Sequence, residues 1–208
     1  QAMRFSAGLN LYYMAYKDQF VLTGERNAIG AMIHRNVGSS YREGIELQSA
    51  WKPFDCFRWD MNATFSRNRA MDWIVMSNNK KALSFGTTHL SFSPDLIFNN
   101  IFTFNSHGFE ASLQSQYIGE QYMTNDNNRH LMLDGYFISN LNLSYTFKMR
   151  SVKAITIGAT IYNLFSEKYF TNGYASAGYD DNGKETQTWS AYSPQAPLNF
   201  LAHLSITF

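Results

Sequence analysis

The chain has 208 residues, 16% of them charged, and a formal net charge of +1, so no global field points to nucleic acid or to an acidic partner. Hydrophobic residues make up 45%, yet no run approaches the roughly 18 apolar residues of a membrane-spanning helix, which excludes a helical membrane protein. Aromatic residues stand at 16%, with 13 Tyr and 17 Phe; this suits a barrel with aromatic girdles at both membrane interfaces, and a soluble all-β protein with a large aromatic core would share it. The single cysteine, Cys56, cannot staple the chain and has no second cysteine for a metal cluster. No charged and then apolar leader opens the sequence, and alternation begins within a few residues of Gln1. That start reads as a piece of a longer exported protein.

Period-two alternation dominates from end to end. The first expected strand places Phe5, Ala7, Leu9, Leu11 and Tyr13 on one face, with Ser6, Gly8, Asn10 and Tyr12 on the other. The second sets Ile45, Leu47 and Trp51 against Glu46 and Gln48, and the third sets Trp59, Met61, Ala63 and Phe65 against Asp60, Asn62, Thr64 and Ser66. The fourth spans about Leu96 to Phe104, and the fifth sets Phe109, Ala111 and Leu113 against Glu110, Ser112, Gln114 and Gln116. In the sixth, Phe137, Leu141, Leu143, Tyr145 and Phe147 share a face; in the seventh, Ile155, Ile157, Ala159 and Ile161. The eighth ends the chain with Phe200, Ala202, Leu204, Ile206 and Phe208 in phase.

Alternation alone says that one face is dry and the other wet, which a β-sandwich also gives. The connections separate the two. Short links follow the second strand (Lys52 to Phe57), the fourth (Asn105 to Gly108) and the sixth (about Lys148 to Lys153). Long polar links cover about Asp72 to Leu83, Thr124 to Leu133 and, longest and expected to be irregular, Thr171 to Pro197. Strict alternation of short and long links places tight turns at one end and loops at the other, as in outer-membrane barrels. The wet face, with Glu46, Gln48, Asp60, Asn62, Gln114, Gln116, Asn140 and Asn142, would crowd the interior of a small barrel and fits a wider one.

Three stretches carry a family resemblance. Asn36-Val37-Gly38 followed by Tyr41-Arg42-Glu43-Gly44-Ile45-Glu46-Leu47 is similar to a recurrent strand of TonB-dependent receptors. Ile161-Tyr162-Asn163-Leu164-Phe165-Ser166-Glu167-Lys168-Tyr169 resembles their penultimate strand, and the terminal alternation ending in Phe208 resembles the signal read by the barrel-assembly machinery. In loop style and in Asn and Tyr content the chain looks like receptors from Bacteroidetes. The resemblance implies an all-β, antiparallel transmembrane barrel of about 22 strands around an N-terminal plug. Residues 1–208 would supply about eight C-terminal strands, with the plug, the TonB-binding segment and the signal peptide outside this sequence. It implies outer-membrane lipid, the TonB complex and the assembly machinery as partners, and assigns Leu204, Ile206 and Phe208 to the assembly signal.

Candidate sites are few. His34, His89, His107, His130 and His203 include no pair at metal-ligand spacing, and ordinary structural roles are expected of them. Asp180 and Asp181, beside Asn182 and Gly183, are adjacent rather than alternating, so a loop tip is expected in preference to a calcium loop. No catalytic trio or phosphate-binding glycine loop is present, no cofactor is implied, and no enzyme activity is expected. Trp73 and Tyr192 lie in or beside long links, and Trp73 is expected to anchor at the headgroup level. Tyr174, Tyr179 and Trp189, in the longest link, are the candidate ligand contacts, offering stacking surface to a small molecule or metal chelate. The expected function is energised import of a scarce, bulky nutrient: a ferric siderophore, haem, cobalamin or an oligosaccharide. The alternative is an independent eight-stranded barrel for anchoring or adhesion.

Overall fold

The computed structural model describes residues 4–26, 29, 31–148 and 152–208. Residues 149–151 of the short link expected at about Lys148 to Lys153, and the start of the chain at Gln1, lie outside the described residues. The chain opens with β1 (Phe5–Arg26), β2 (Met32–Phe54) and β3 (Phe57–Met71). The first long connection holds β4 (Ile74–Met76), β5 (Ala82–Ser84) and β6 (Thr88–His89). Next come β7 (Leu96–Ser106), β8 (Phe109–Ile118), the short pair β9 (Gln121–Tyr122) and β10 (Met132–Leu133), then β11 (Tyr136–Phe147) and β12 (Ala154–Tyr162). A hairpin of β13 (Phe170–Tyr179) and β14 (Glu185–Pro194) precedes the last strand, β15 (Asn199–Thr207).

Eight of these form one antiparallel sheet in the order β1-β2-β3-β7-β8-β11-β12-β15, with β6 appended to β3. They are the eight strands that alternation identifies. Among the described residues the sheet is open, with β1 and β15 at its two edges.

The register explains the alternation. One continuous row crosses all eight strands: Phe5, Trp51, Trp59, Phe102, Leu113, Leu141, Ile161 and Phe200 stand directly opposite one another in turn. Every member is apolar, and within the row Trp59 stacks on Phe102 at 5.9 Å while Trp51 meets Trp59 edge-on at 6.4 Å. The other face carries a polar row of Gly8, Gln48, Asn62, Asn99 and Gln116. Here Gln116 donates to Asn99 at 2.8 Å and Asn99 to Asn62 at 2.8 Å. One face is thus mainly apolar, its few polar side chains paired among themselves, as where Trp59 Nε1 donates to Asn100 at 3.0 Å, and the other satisfies amides among themselves. In a bilayer the first must meet lipid, because nothing there hydrogen-bonds, and the second must line the lumen. Ile157, on β12 with a paired strand on each side, is 53% exposed, as a lipid-facing residue of a wall is once lipid is stripped away.

The tight ends follow local chemistry. His107 and Gly108, between β7 and β8, both take positive φ (48° and 85°), the two-residue turn whose twist matches antiparallel strands. A Cβ at 108 would lie 2.6 Å from the Thr146 carbonyl oxygen, so the close approach of β11 also demands glycine there. His107 closes the turn locally, its Nδ1 lying 2.8 Å from Ser106 Oγ.

The opposite end departs from expectation. Thr171 to Pro197 is not irregular; it is mostly the β13–β14 hairpin, and Asp72 to Leu83 contains the β4–β5 hairpin. Their strands lack a lipid-facing side, so the strong apolar alternation is missing from their sequence. β1 and β2 also run on past Tyr13 and before Ile45, to 22 and 23 residues, well beyond the roughly 9–11 that cross a bilayer. Above Lys17 this pair is no longer hydrogen-bonded to β3, whose pairing with β2 ends at Ser39 and Met71. Asp18, with φ of 53°, reverses the sidedness of β1: Val21 shares the parity of lipid-facing Leu9 and Leu11, yet packs with Ala70, Trp73 and Leu90.

Candidate functional site: the mouth of the barrel wall

Three connections meet at the loop end: residues 72–95, 119–135 and 163–198. Two apolar clusters seat them. Trp73 and Leu90 join Val21 and Ala70, with Val75 and Phe85 alongside; Met123, Leu131, Leu133 and Ala175 form the second, with Phe92 and Ala177. Trp73 is thereby buried in the loop cluster at 5% exposure instead of sitting at the headgroup level.

Between the outer two connections lies Thr124-Asn125-Asp126-Asn127-Asn128, polar and almost wholly buried. Each Asx side chain ties a different neighbour. Asn125 Oδ1 accepts from the Ser91 amide at 2.6 Å, and Asn127 Oδ1 from the His89 amide at 2.9 Å. Asp126 accepts from Thr124 Oγ1 at 2.5 Å and from the Tyr179 hydroxyl at 2.8 Å. Asn128 Nδ2 donates to Glu185 at 2.7 Å, and Glu185 also meets His130 at 3.5 Å. Burying polar groups is tolerable only because each has such a partner.

A second set of bonds joins the tips of the β4–β5 and β13–β14 hairpins. The Asp181 carboxylate accepts from Ser77 Oγ at 2.5 Å and from Asn79 Nδ2 at 3.1 Å, and Lys81 Nζ donates to the Asp181 carbonyl at 2.8 Å. Asn78 adds bonds to the Tyr179 carbonyl (2.9 Å) and Thr186 Oγ1 (3.0 Å). The hydroxyl and amide donors, and then the Lys81 charge, hold the Asp181 carboxyl below its usual range. Asp180 instead caps its own turn, taking the amides of Asn182 and Lys184 at 2.9 Å each. The pair therefore sits at a hairpin tip, and among the described residues no three His, Cys, Asp or Glu converge as a metal-ion set.

The three aromatic candidates separate by strand phase. Tyr179 lies on the inner side of β13 with Ala175 and Ala177; it is 4% exposed, and burial and then Asp126 push its hydroxyl pKa well up. Packed edge-on against Phe85 at 5.0 Å and bonded to Asp126, it holds the hairpin down and presents no open ring face. Tyr174 and Trp189 stand on the other side, rings 5.0 Å apart, with Trp189 53% exposed. Phe170 and Tyr192 form a further pair at 5.0 Å.

The histidines are dispersed. His34 stacks on Phe20 at 4.9 Å in the projecting β1–β2 pair, His89 bonds Asn127 at 2.8 Å, and His203 lies over Gly158 on the lumen face. Leu204 and Ile206 stand on the lipid side of β15, and Phe208, just past its end, is 82% exposed. Sequence reasoning passed over Asp126, Asn128, Ser77 and Glu185. The run of Asx residues from 125 to 128 was the available signal, since their side chains readily bond nearby backbone.

An open antiparallel wall with one apolar face, one polar face, tight turns at one end and clasped hairpins at the other defines the class: a transmembrane β-barrel of the outer-membrane type. The family model "TonB dependent receptor-like, beta-barrel" matches residues 1–164, and the chain belongs to that family and to the outer membrane. No curated protein sequence matches it. Solved structures share the fold: the ferric yersiniabactin uptake receptor FyuA from Yersinia pestis (16% identity, TM-score 0.71, all of this chain and 28% of that one). The ferric-catecholate import receptor Fiu from E. coli K12 gives 17% identity and a TM-score of 0.64 over 99% of this chain and 25% of its own. The copper transporter OprC gives 16% and 0.65 over all of this chain and 29% of its own. The chain thus spans about a quarter of the length of these structures.

Proposed function

We propose that the chain is part of the wall and mouth of an energy-coupled receptor importing a scarce, bulky nutrient: a ferric siderophore, haem, cobalamin or an oligosaccharide. Family membership supports the import reading, and the similar structures include a ferric-catecholate import receptor, a ferric yersiniabactin uptake receptor and a copper transporter. The observation that carries a ligand role for this part is the Tyr174–Trp189 pair, on the side of β13–β14 turned away from the loop core. Aromatic pairs on a rigid element offer contact area at little entropic cost. Energy would come from TonB, and transport rather than catalysis is the task.

The alternative, an independent eight-stranded barrel, requires β1 to pair with β15, and among the described residues these two strands are unpaired with each other. The test is uptake by cells carrying the full-length receptor, offered each nutrient class in turn, with and without TonB. TonB-dependent accumulation of one class is expected; accumulation that survives TonB depletion would reject energy coupling.

A further inference from the structure

The β4–β5 and β13–β14 hairpins belong to connections that are not neighbours in the sheet: one joins β3 to β7, the other joins β12 to β15, and the four strands β7, β8, β11 and β12 lie between them. Their tips nevertheless meet, so the two hairpins form an arch over the intervening connection 119–135. Three sets of contacts hold the arch, and they differ in depth. The inner set, Asp126 with Tyr179 and Asn128 with Glu185, is largely buried and backed by the Met123, Leu131, Leu133 and Ala175 cluster. At the outermost point Asp181 takes Ser77 and Asn79 on its carboxylate and Lys81 on its carbonyl, while Asn78, one step deeper, gives its amide to the Tyr179 carbonyl at 2.9 Å and its side chain to Thr186 Oγ1 at 3.0 Å. Lys80 and Asn182 beside it are exposed.

The geometry points to Asp181 as a latch between the two hairpins of the mouth, such that the arch parts at this residue while the Asp126–Tyr179 contact below stays closed. Asn79 and Lys81 bond Asp181 at the exposed surface, and exposed hydrogen bonds open more easily than buried ones backed by apolar packing, so the arch has a defined place to part. On release, Ser77, Asn79 and Lys81 lose their bonds to Asp181 and the outer turn at Lys80 swings free, while Asn78 keeps its bonds to Tyr179 and Thr186 and the base stays seated through Trp73, Val75 and Phe85. The turn itself survives, because Ser77 and Lys81 keep their backbone bond of 2.8 Å. The latch does not depend on which nutrient is carried.

The test uses the full-length receptor in membranes with spin labels at Lys80 and Asn182, read by double electron–electron resonance. A single short, narrow distance is expected. Asp181→Ala should replace it with longer, broader distances. Ser77→Ala combined with Asn79→Ala, which leaves Asp181 intact, should do the same from the other hairpin. A second label pair at Arg129 and Gln187, across the inner contact, should keep its distance in both variants. An unchanged Lys80–Asn182 distance in either variant, or an inner pair that widens with the outer one, would overturn the latch.

Discussion

The Tyr12 side chain lies across Gly44, its partner on the next strand, so closely that a Cβ at 44 would stand 2.6 Å from the Tyr12 hydroxyl oxygen and 2.5 Å from the Phe65 carbonyl oxygen. The same device recurs on the lumen face, where Gln48 covers Gly8 and His203 covers Gly158. Glycine here makes room for a long neighbour. Gly44→Ala should therefore destabilise the refolded full-length receptor by about 1–3 kcal/mol, the usual cost of overpacking. Tyr12→Ala should relieve only part of this, since the Phe65 backbone remains in the way. Urea midpoints in detergent would check both, and equal stability of Gly44→Ala and wild type would count against the contact.

The assignment of faces makes a sharper demand. Ile157 and Leu204 stand opposite each other on the apolar side, and Thr156 and Thr160 on the lumen side. Arginine at Ile157 or Leu204 should cost about 2–4 kcal/mol if the position is near the bilayer midplane. Arginine at Thr156 should cost far less. Spin labels that report water at Ile157 and lipid at Thr160 would reverse the assignment.

Removal of Phe208 should lower the amount of folded receptor in the outer membrane without changing ligand affinity in the receptor that assembles. The residue stands at the exposed end of β15 on the tight-turn side, far along the wall from β13 and β14. Surface quantification with ligand binding on the same cells separates the two effects. Normal surface levels with weakened binding would contradict the orientation.

Trp189→Ala and Tyr174→Ala should each weaken nutrient binding by about 1 kcal/mol or more if the pair touches ligand. Barrel assembly should be untouched, because neither residue is in the eight-stranded sheet. Tyr179→Phe, by contrast, should loosen the loop end, seen as faster hydrogen exchange in residues 124–128, since it removes a donor from buried Asp126. Full-strength binding in both alanine variants would move the ligand contacts to other parts of the receptor.

The hairpin tips should also respond to acid in one direction. Asp181 titrates below the ordinary carboxylate range when bonded, so its contribution is present above the unfolded value and is lost as pH falls through the lowered one. The Lys80–Asn182 distance should therefore hold through mild acid and broaden only below the usual carboxylate pKa. Broadening that begins near neutrality would implicate another group.

The wall was legible in the sequence because lipid forces a strict rule: every second residue from Phe109 to Leu113, or from Phe200 to Phe208, must be apolar. The mouth was not, because its strands answer to one another instead. Ala175, Ala177 and Tyr179 alternate with Tyr174, Ser176 and Gly178, a contrast of size more than of polarity. Tyr179 and Trp189 read alike as aromatic loop residues, yet β13 turns one inward, and its partner Asp126 lies 53 residues away. The reversal at Asp18 was equally silent, since it rests on one backbone angle, φ of 53°, that Lys17-Asp18-Gln19 does not spell out.

The buried run from Thr124 to Asn128 has a bearing on how such a receptor diversifies. Its side chains are complementary to two other segments at once, residues 89–91 on one side and residues 179–185 on the other. A graft that imports any one of the three connections from another receptor strands buried amides or a carboxylate without partners. A graft that imports all three together carries the whole matched set. Changes of ligand preference in this part of the barrel should thus be inherited as a block drawn from three distant stretches of the gene.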